Sequence, residues 1–176
     1  MIAYFVMLFA ILTRIVPHPE LMNFTAVGAG LLYFGARRSR WQIGLAVLAL
    51  AATDYYLTVF RYGYDFHLRG YLITWAWYAG VALLGSSLLQ KSSVMRVAVG
   101  VVTSATSFFL LSNYSVWPGN AMYTQNLRGL FDCYVAGLAF YRNDLISTAL
   151  FAAVFFGWQP AMEWMTGTEH ASRKAA

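Results

Sequence analysis

Long apolar runs are the feature that most limits what this chain can fold into. Residues 43–60 contain a single charged side chain, Asp54, and similar runs recur along the sequence. A helix needs about 20 residues to cross the hydrocarbon of a bilayer, and a strand needs about 9–11. These runs therefore predict membrane-spanning helices. Composition agrees, because 60% of the residues are hydrophobic and 11% are charged, whereas a soluble domain is roughly 45–50% apolar and about 25% charged.

The positions of the runs predict an all-α integral membrane protein, a bundle of about six transmembrane helices. The predicted spans are residues 2–16, 24–36, 41–60, 71–89, 96–113 and 144–161. An extra short helix is predicted near 127–141, at the membrane interface or against the bundle, and a seventh span is the alternative there. We expect a single transmembrane helical domain over 1–165 and a polar C-terminal tail over 166–176.

The basic residues indicate an orientation for this bundle. Six spans place both termini on one side, together with the cluster Arg37, Arg38 and Arg40. Short cytoplasmic loops carry an excess of Lys and Arg, so we expect both termini to be cytoplasmic in a bacterial inner membrane. Any ligand site is then expected on the outer face, where the loops are longer and more varied. Nucleic acid is not an expected partner, because the basic residues flank apolar runs instead of forming one phosphate-binding face.

Polar residues within or beside the spans are the candidates for a binding site. A carboxylate at the centre of a membrane helix costs about 2.5–3.5 kcal/mol on insertion scales. Asp54 therefore indicates either a ligand contact or a structural ion pair with Arg14 or Arg61. Arg14 and His18 flank the corner after the first span, which is interpreted either as part of the site or as a rigid proline corner.

An aromatic segment over 71–78 follows His67 and contains Trp75. Aromatic walls beside a few polar groups are typical of a small-molecule pocket, and the interpretation as an interfacial aromatic belt is somewhat favoured over it. Asn23 is a further candidate, with an N-cap of the second span as the alternative. The full set of candidate ligand-binding residues is Arg14, His18, Asn23, Asp54, His67, Trp75, Asn113 and Trp117.

The chain lacks the sequence motifs of common enzymes. It has no phosphate-binding P-loop, no HExxH and no GxSxG. A single cysteine, Cys133, excludes an internal disulfide and a paired-cysteine zinc motif. We therefore expect neither catalysis nor a metal site, and the sequence names no cofactor.

Several short motifs follow one another in a specific order along the chain. The Arg14 corner precedes Ala52-Thr53-Asp54-Tyr55, and the segments 109–113 and 133–143 come later. In these motifs the chain resembles a family of uncharacterised small bacterial membrane proteins, a domain of unknown function, over nearly its whole length.

More remotely, the layout resembles the S components of energy-coupling-factor vitamin transporters, in particular the cobalamin type. This resemblance implies a six-helix membrane protein that holds a vitamin near its outer face. The cobalamin type carries a cobalt-binding cysteine in the loop before the fourth span. Here that loop, residues 62–69, has no cysteine, and His67 is the alternative ligand.

Two functions are compatible with these patterns. The first is binding or uptake of a small molecule, such as a vitamin, in a pocket on the outer face. The second is an accessory subunit of a larger respiratory or photosynthetic complex, contacting partner subunits, lipid or pigment. They differ in whether the aromatic residues face inward or toward lipid and partner helices.

Overall fold

The computed structural model describes residues 1–16 and 21–174, and for residues 69 and 159–174 it describes the backbone only. The described residues form six α-helices and no strand. The helices are α1 (Ile2–Ile15), α2 (Val27–Arg37), α3 (Ile43–Tyr56), α4 (Leu68–Leu88), α5 (Val94–Val116) and α6 (Leu127–Lys174). A 3₁₀ turn (Arg40–Gln42) precedes α3, and a π-helical segment (Leu57–Arg61) continues it. The all-α prediction is confirmed.

The short helix α2 lies at the centre of the bundle. All of its residues from Val27 to Gly35 are buried, and it packs against each of the other five helices. At two points α2 and α4 approach so closely that only glycine fits. A Cβ at Gly35 would overlap the carbonyl oxygen of Ala82, and a Cβ at Gly85 would overlap that of Leu32. Small residues permit such close backbone approach between membrane helices.

Helices α1 and α2 pair in an antiparallel manner. Tyr4 stacks edge-on against Phe34, at the opposite ends of α1 and α2. Arg38 donates a hydrogen bond to the Tyr4 hydroxyl and lies over its ring. The N-terminus and the basic cluster Arg37, Arg38 and Arg40 are therefore at one end of the bundle. The C-terminus of α1 and the N-terminus of α2 are at the other end.

The extra short helix predicted near 127–141 is not a separate element. It forms the first part of α6, which continues without a break through the predicted span 144–161. The residues between the two predicted helices, Arg142 and Asn143, include neither glycine nor proline, so nothing interrupts the helical backbone. The tail predicted over 166–176 falls where the structure describes at most the backbone, and its boundary stays a prediction.

Within the described residues, three helical segments are long and apolar enough to cross a membrane: Arg40–Arg61, Gly70–Leu88 and Val94–Val116. This is fewer than the six spans predicted. Helix α1 is apolar but has 14 residues, and α2 has 11, which is short of the roughly 20 that a crossing needs. The outward faces of the bundle are nevertheless apolar, with exposed side chains such as Phe5, Leu48 and Leu150.

Candidate ligand-binding site

An ion pair joins the end of α1 to α3. Nη2 of Arg14, in the last turn of α1, lies 2.5 Å from Oδ1 of Asp54. The Asp54 side chain is fully buried, whereas that of Arg14 is 28% exposed. The ion pair predicted as one alternative for Asp54 is thus present, and Arg14 is the partner. The Arg14 side chain is therefore partly accessible to solvent.

Two aromatic side chains from α4 complete the surroundings of Asp54. The Trp75 Nε1–H donates to Oδ2 at 3.0 Å, and the Tyr78 hydroxyl lies 3.3 Å from Oδ1 and 3.2 Å from Oδ2. A buried carboxylate is tolerated when it is paired and hydrogen-bonded. Three donors from α1 and α4 therefore satisfy the hydrogen-bonding capacity of the Asp54 carboxylate and link α1, α3 and α4 to one another.

Stacked rings form a wall above this carboxylate. Phe66 stacks on Tyr71 with ring centroids 4.8 Å apart and an interplanar angle of 11°, and it also stacks on Trp75. The Tyr71 hydroxyl is hydrogen-bonded to Oγ1 of Thr58, which donates to the Asp54 carbonyl oxygen at 2.7 Å. The π-helical segment thus positions Tyr71 through Thr58.

A cleft of about 550 Å³ opens at this end of the bundle. Its lining comes from the end of α1, the segment before α2, the π-helical segment, and single residues of α4 and α6. The lining residues are Arg14, Ile15, Val16, Met22, Asn23, Thr25, Asp54, Leu57, Thr58, Arg61, Tyr62, Tyr64, Tyr71 and Phe140. The volume suits a small organic ligand.

The charges of the cleft favour an anion. Its lining contains two guanidinium groups, Arg14 and Arg61, and one carboxylate, Asp54. Asp54 neutralises one of the two cations, so a net positive charge is left. Nε of Arg14 is buried and has no hydrogen-bond partner within the described residues. Guanidinium groups bind carboxylate and phosphate oxygens through parallel N–H donors, so the cleft has the chemistry to hold an acidic group.

The family assignment agrees with the sequence pattern. A family model, DUF6580, matches residues 1–170. The chain belongs to DUF6580, a family of unknown function. No curated protein and no solved structure matches the chain. Membership of DUF6580 confirms the predicted resemblance to an uncharacterised family. The remote resemblance to transporter S components stays a prediction.

Four of the eight candidate residues meet at this end of the bundle. Arg14, Asn23 and Asp54 line the cleft, and Trp75 binds Asp54 from behind. Asn23 adopts a left-handed conformation with φ 64°, so it forms a turn and does not cap α2. The N-cap is Ala26, whose N–H donates to Oγ1 of Thr13. The predicted capping role of Asn23 was therefore wrong.

The other candidates lie elsewhere. His67 is exposed at the start of α4, with Nδ1 3.0 Å from the Asp65 carbonyl oxygen. Asn113 donates to the Phe109 carbonyl oxygen within α5 and packs against Gly137 of α6. Trp117 donates to the Thr124 carbonyl oxygen in the loop between α5 and α6. His18 lies outside the described residues.

The structure adds residues that the candidate set omits. Tyr78 binds Asp54, while Arg61, Tyr62 and Tyr64 line the cleft. Residues spaced i, i+4 and i+7 lie on one face of a helix, and Tyr71, Trp75 and Tyr78 have this spacing. That stripe in the sequence was the available signal for Tyr78. Arg61 ends the π-helical segment and residues 62–64 follow it without regular structure, and no sequence pattern indicated their position.

Within the described residues, no group of three or more His, Cys, Asp or Glu side chains is placed to hold a metal ion. In particular, His67 lies far along the chain from Cys133, which is buried and hydrogen-bonded to Asn113. The role of His67 as a cobalt ligand therefore has no support from a second metal-binding side chain in this part of the chain.

Proposed function

We propose that this protein lies in the bacterial inner membrane and binds a small molecule with an acidic group in the cleft at the Arg14–Asp54 end of the bundle. The observation that supports this most is that two guanidinium groups, those of Arg14 and Arg61, line the same cleft of about 550 Å³. Nε of Arg14 has no hydrogen-bond partner within the described residues. The rings of Tyr62, Tyr64 and Tyr71 supply apolar contact area for the remainder of the ligand.

The membrane arrangement that we propose keeps six helices in the bilayer. In the part of the chain that the structure describes, three of them are long and apolar enough to cross on their own. The short central helix α2 is shielded from lipid by the other five, so its length need not match the bilayer. The basic cluster Arg37, Arg38 and Arg40 then lies on the cytoplasmic side with both termini, as the distribution of basic residues favours. The cleft opens outward.

A built-in ion pair suits a ligand-binding role. Asp54 holds the guanidinium of Arg14 in position before any ligand arrives. The Arg14 side chain therefore loses little conformational freedom when a ligand binds. Arg61 is exposed at the end of the π-helical segment, and within the described residues it forms no ion pair. Arg14 therefore acts as the fixed part of the site, and Arg61 supplies the free charge. Uptake by an S-component-like mechanism is the function that we favour for such a site.

The experiment uses a simple aromatic acid and its neutral analogue. The purified protein in mild detergent is heated with benzoate or with benzamide, and the unfolding midpoint is followed by tryptophan fluorescence. We expect benzoate to raise the midpoint and benzamide to leave it unchanged. Arg61→Gln is expected to weaken benzoate binding about tenfold, since a hydrogen bond to a charged group is worth about 1.5–3 kcal/mol.

Arg128→Gln is the matched control, because Arg128 is an exposed arginine of α6 that does not line the cleft. Its benzoate response should equal that of the unmodified protein. Equal shifts with benzoate and benzamide, or an unchanged response in Arg61→Gln, would contradict the proposed acidic ligand.

A further inference from the structure

A second polar cluster lies between α2, α5 and α6, apart from the Arg14–Asp54 pair. Asp144 and Thr148 of α6 are 6% and 0% exposed, and Ser104 of α5 is 1% exposed. Thr148 donates a hydrogen bond of 3.5 Å from Oγ1 to Oδ1 of Asp144. An ionisable residue inside a membrane bundle is expensive and commonly marks an ion or proton pathway.

Two oxygen atoms of this cluster have no hydrogen-bond partner within the described residues. They are Oδ2 of Asp144 and Oγ of Ser104, and both are buried. Unpaired buried polar atoms are rare in proteins and need a specific explanation. Asp144 also forms no ion pair in the described part of the chain, and the side chain of Arg142, two residues earlier, is exposed.

The hydroxyl groups of Ser104 and Thr148 both lie against Gly28 of α2. A Cβ at this position would lie 2.8 Å from Oγ1 of Thr148 and 3.0 Å from Oγ of Ser104. Both hydroxyl groups therefore point toward the same spot on the α2 backbone. Thr148 in turn donates to Asp144, so two hydroxyl groups from α5 and α6 meet at Gly28 and one of them connects this spot to the carboxylate.

We propose that Asp144, Ser104 and Thr148 form a binding site for one monovalent metal cation, for which Na⁺ is the probe. Carboxylate, hydroxyl and carbonyl oxygens are the ligands that hard cations prefer. One carboxylate balances one positive charge, whereas a divalent ion would leave an excess charge buried among apolar helices. The chemistry of the cluster thus selects a monovalent ion.

Protonation of Asp144 is the alternative to a bound cation, but it explains only one of the two unpaired oxygens. The unpaired oxygens of Asp144 and Ser104 are not hydrogen-bonded to each other, so a protonated Asp144 would leave the Ser104 hydroxyl unpaired. A metal ion bound by the cluster would supply a partner for both oxygens. It also neutralises the carboxylate, which a bridging water molecule does not do.

The cluster lies close to the cleft. Phe140 and Thr25 line the cleft. Phe140 precedes Asp144 by four residues in α6, and Thr25 precedes Gly28 by three, so the cluster lies about one helical turn beneath the cleft. The cation site is nevertheless independent of the proposed acidic ligand, because it shares no side chain with the ion pair of Arg14 and Asp54.

In the test, choline chloride in the buffer is replaced stepwise by sodium chloride at constant ionic strength, and no acidic ligand is present. The unfolding midpoint of the full chain in detergent is measured at each step. We expect a saturable rise with Na⁺, since a ligand that binds only the folded state stabilises it. Asp144→Asn should abolish the rise. Asp132→Asn, which alters an exposed carboxylate of the same helix, should leave it intact.

Ser104→Ala provides a second variant in case Asp144→Asn does not fold. It removes one oxygen ligand without introducing a charge, and we expect the half-saturating Na⁺ concentration to rise about tenfold. Identical midpoints in sodium and choline chloride would overturn the cation site. So would a full Na⁺ response in Asp144→Asn, or a Ser104→Ala response equal to that of the unmodified protein.

Discussion

Asp54 is the residue on which the architecture of the cleft depends most. It binds Arg14 of α1 together with Trp75 and Tyr78 of α4, although its own helix is α3. The attraction between buried charges is strong because little water screens them. The carboxylate therefore serves as the common acceptor for donors from two other helices, and it positions Arg14 at the floor of the cleft.

Replacing this carboxylate tests its structural role. Asp54→Asn keeps the size of the side chain but leaves the guanidinium of Arg14 without a charged partner. Breaking a buried ion pair costs about 3–5 kcal/mol, and we expect a loss near the lower limit because Arg14 is partly exposed. The free energy of unfolding is measured by titration of the detergent-solubilised protein with SDS.

Asp65→Asn is the control for this substitution, because Asp65 is an exposed carboxylate at the same end of the bundle. It should unfold like the unmodified protein. Equal stabilities of the Asp54 and Asp65 variants would show that the ion pair contributes nothing to the fold.

Sequence alone indicated the buried charge but not its full environment. A carboxylate within the apolar run 43–60 must find a partner, so an ion pair with Arg14 or Arg61 was predictable. The contribution of Tyr78 depends on how α4 is rotated against α3, which composition does not determine. The position of Arg61 in the cleft is set by the π-helical segment that it ends. Such segments have no clear sequence signature, so this position was not predictable.

At the scale of the helices, length and apolarity predicted most of the boundaries. The predicted spans 2–16, 41–60, 71–89 and 96–113 agree closely with α1, α3 with its flanking turns, α4 and α5. Helix α2 begins three residues later than predicted, because Asn23 forms a turn in the left-handed region. The prediction separated two helices at the polar residues Arg142 and Asn143, although both residues are compatible with a helix, and the structure joins the two helices into α6.

The close crossing of α2 and α4 is testable by adding one methyl group. Gly35→Ala would force the Cβ against the Ala82 carbonyl oxygen, and the two helices would have to separate. Overpacking a tight interface costs about 1–3 kcal/mol, so we expect a lower free energy of unfolding, measured by the same SDS titration.

Gly80→Ala is the matched control in α4, because a Cβ at that position meets nothing within 4 Å. It should be neutral or slightly stabilising, since alanine favours a helix over glycine by roughly 0.5–1 kcal/mol. If both alanine variants were equally stable, the close crossing of α2 and α4 would not be present in the folded protein.

At the scale of the whole molecule, charge is divided between the two ends of the bundle. Arg37, Arg38 and Arg40 are together at the end that holds the N-terminus, and the cleft with Arg14 and Arg61 opens at the other. The bundle is apolar on its outward faces, so lipid can surround it between these ends. In the described part of the chain the cleft thus lies at the end opposite the basic cluster, and its two guanidinium groups are the basis of the acidic ligand that we propose.

The most direct test of this account is to identify what the cleft contains after purification from the native membrane. The protein is isolated in mild detergent and its small molecules are extracted and analysed by mass spectrometry, for the unmodified chain and for Arg61→Gln and Arg128→Gln. We predict one acidic small molecule in near-stoichiometric amount, depleted about tenfold in Arg61→Gln and retained in Arg128→Gln. Equal amounts in all three proteins, or co-purifying membrane subunits or pigments in place of such a molecule, would contradict it.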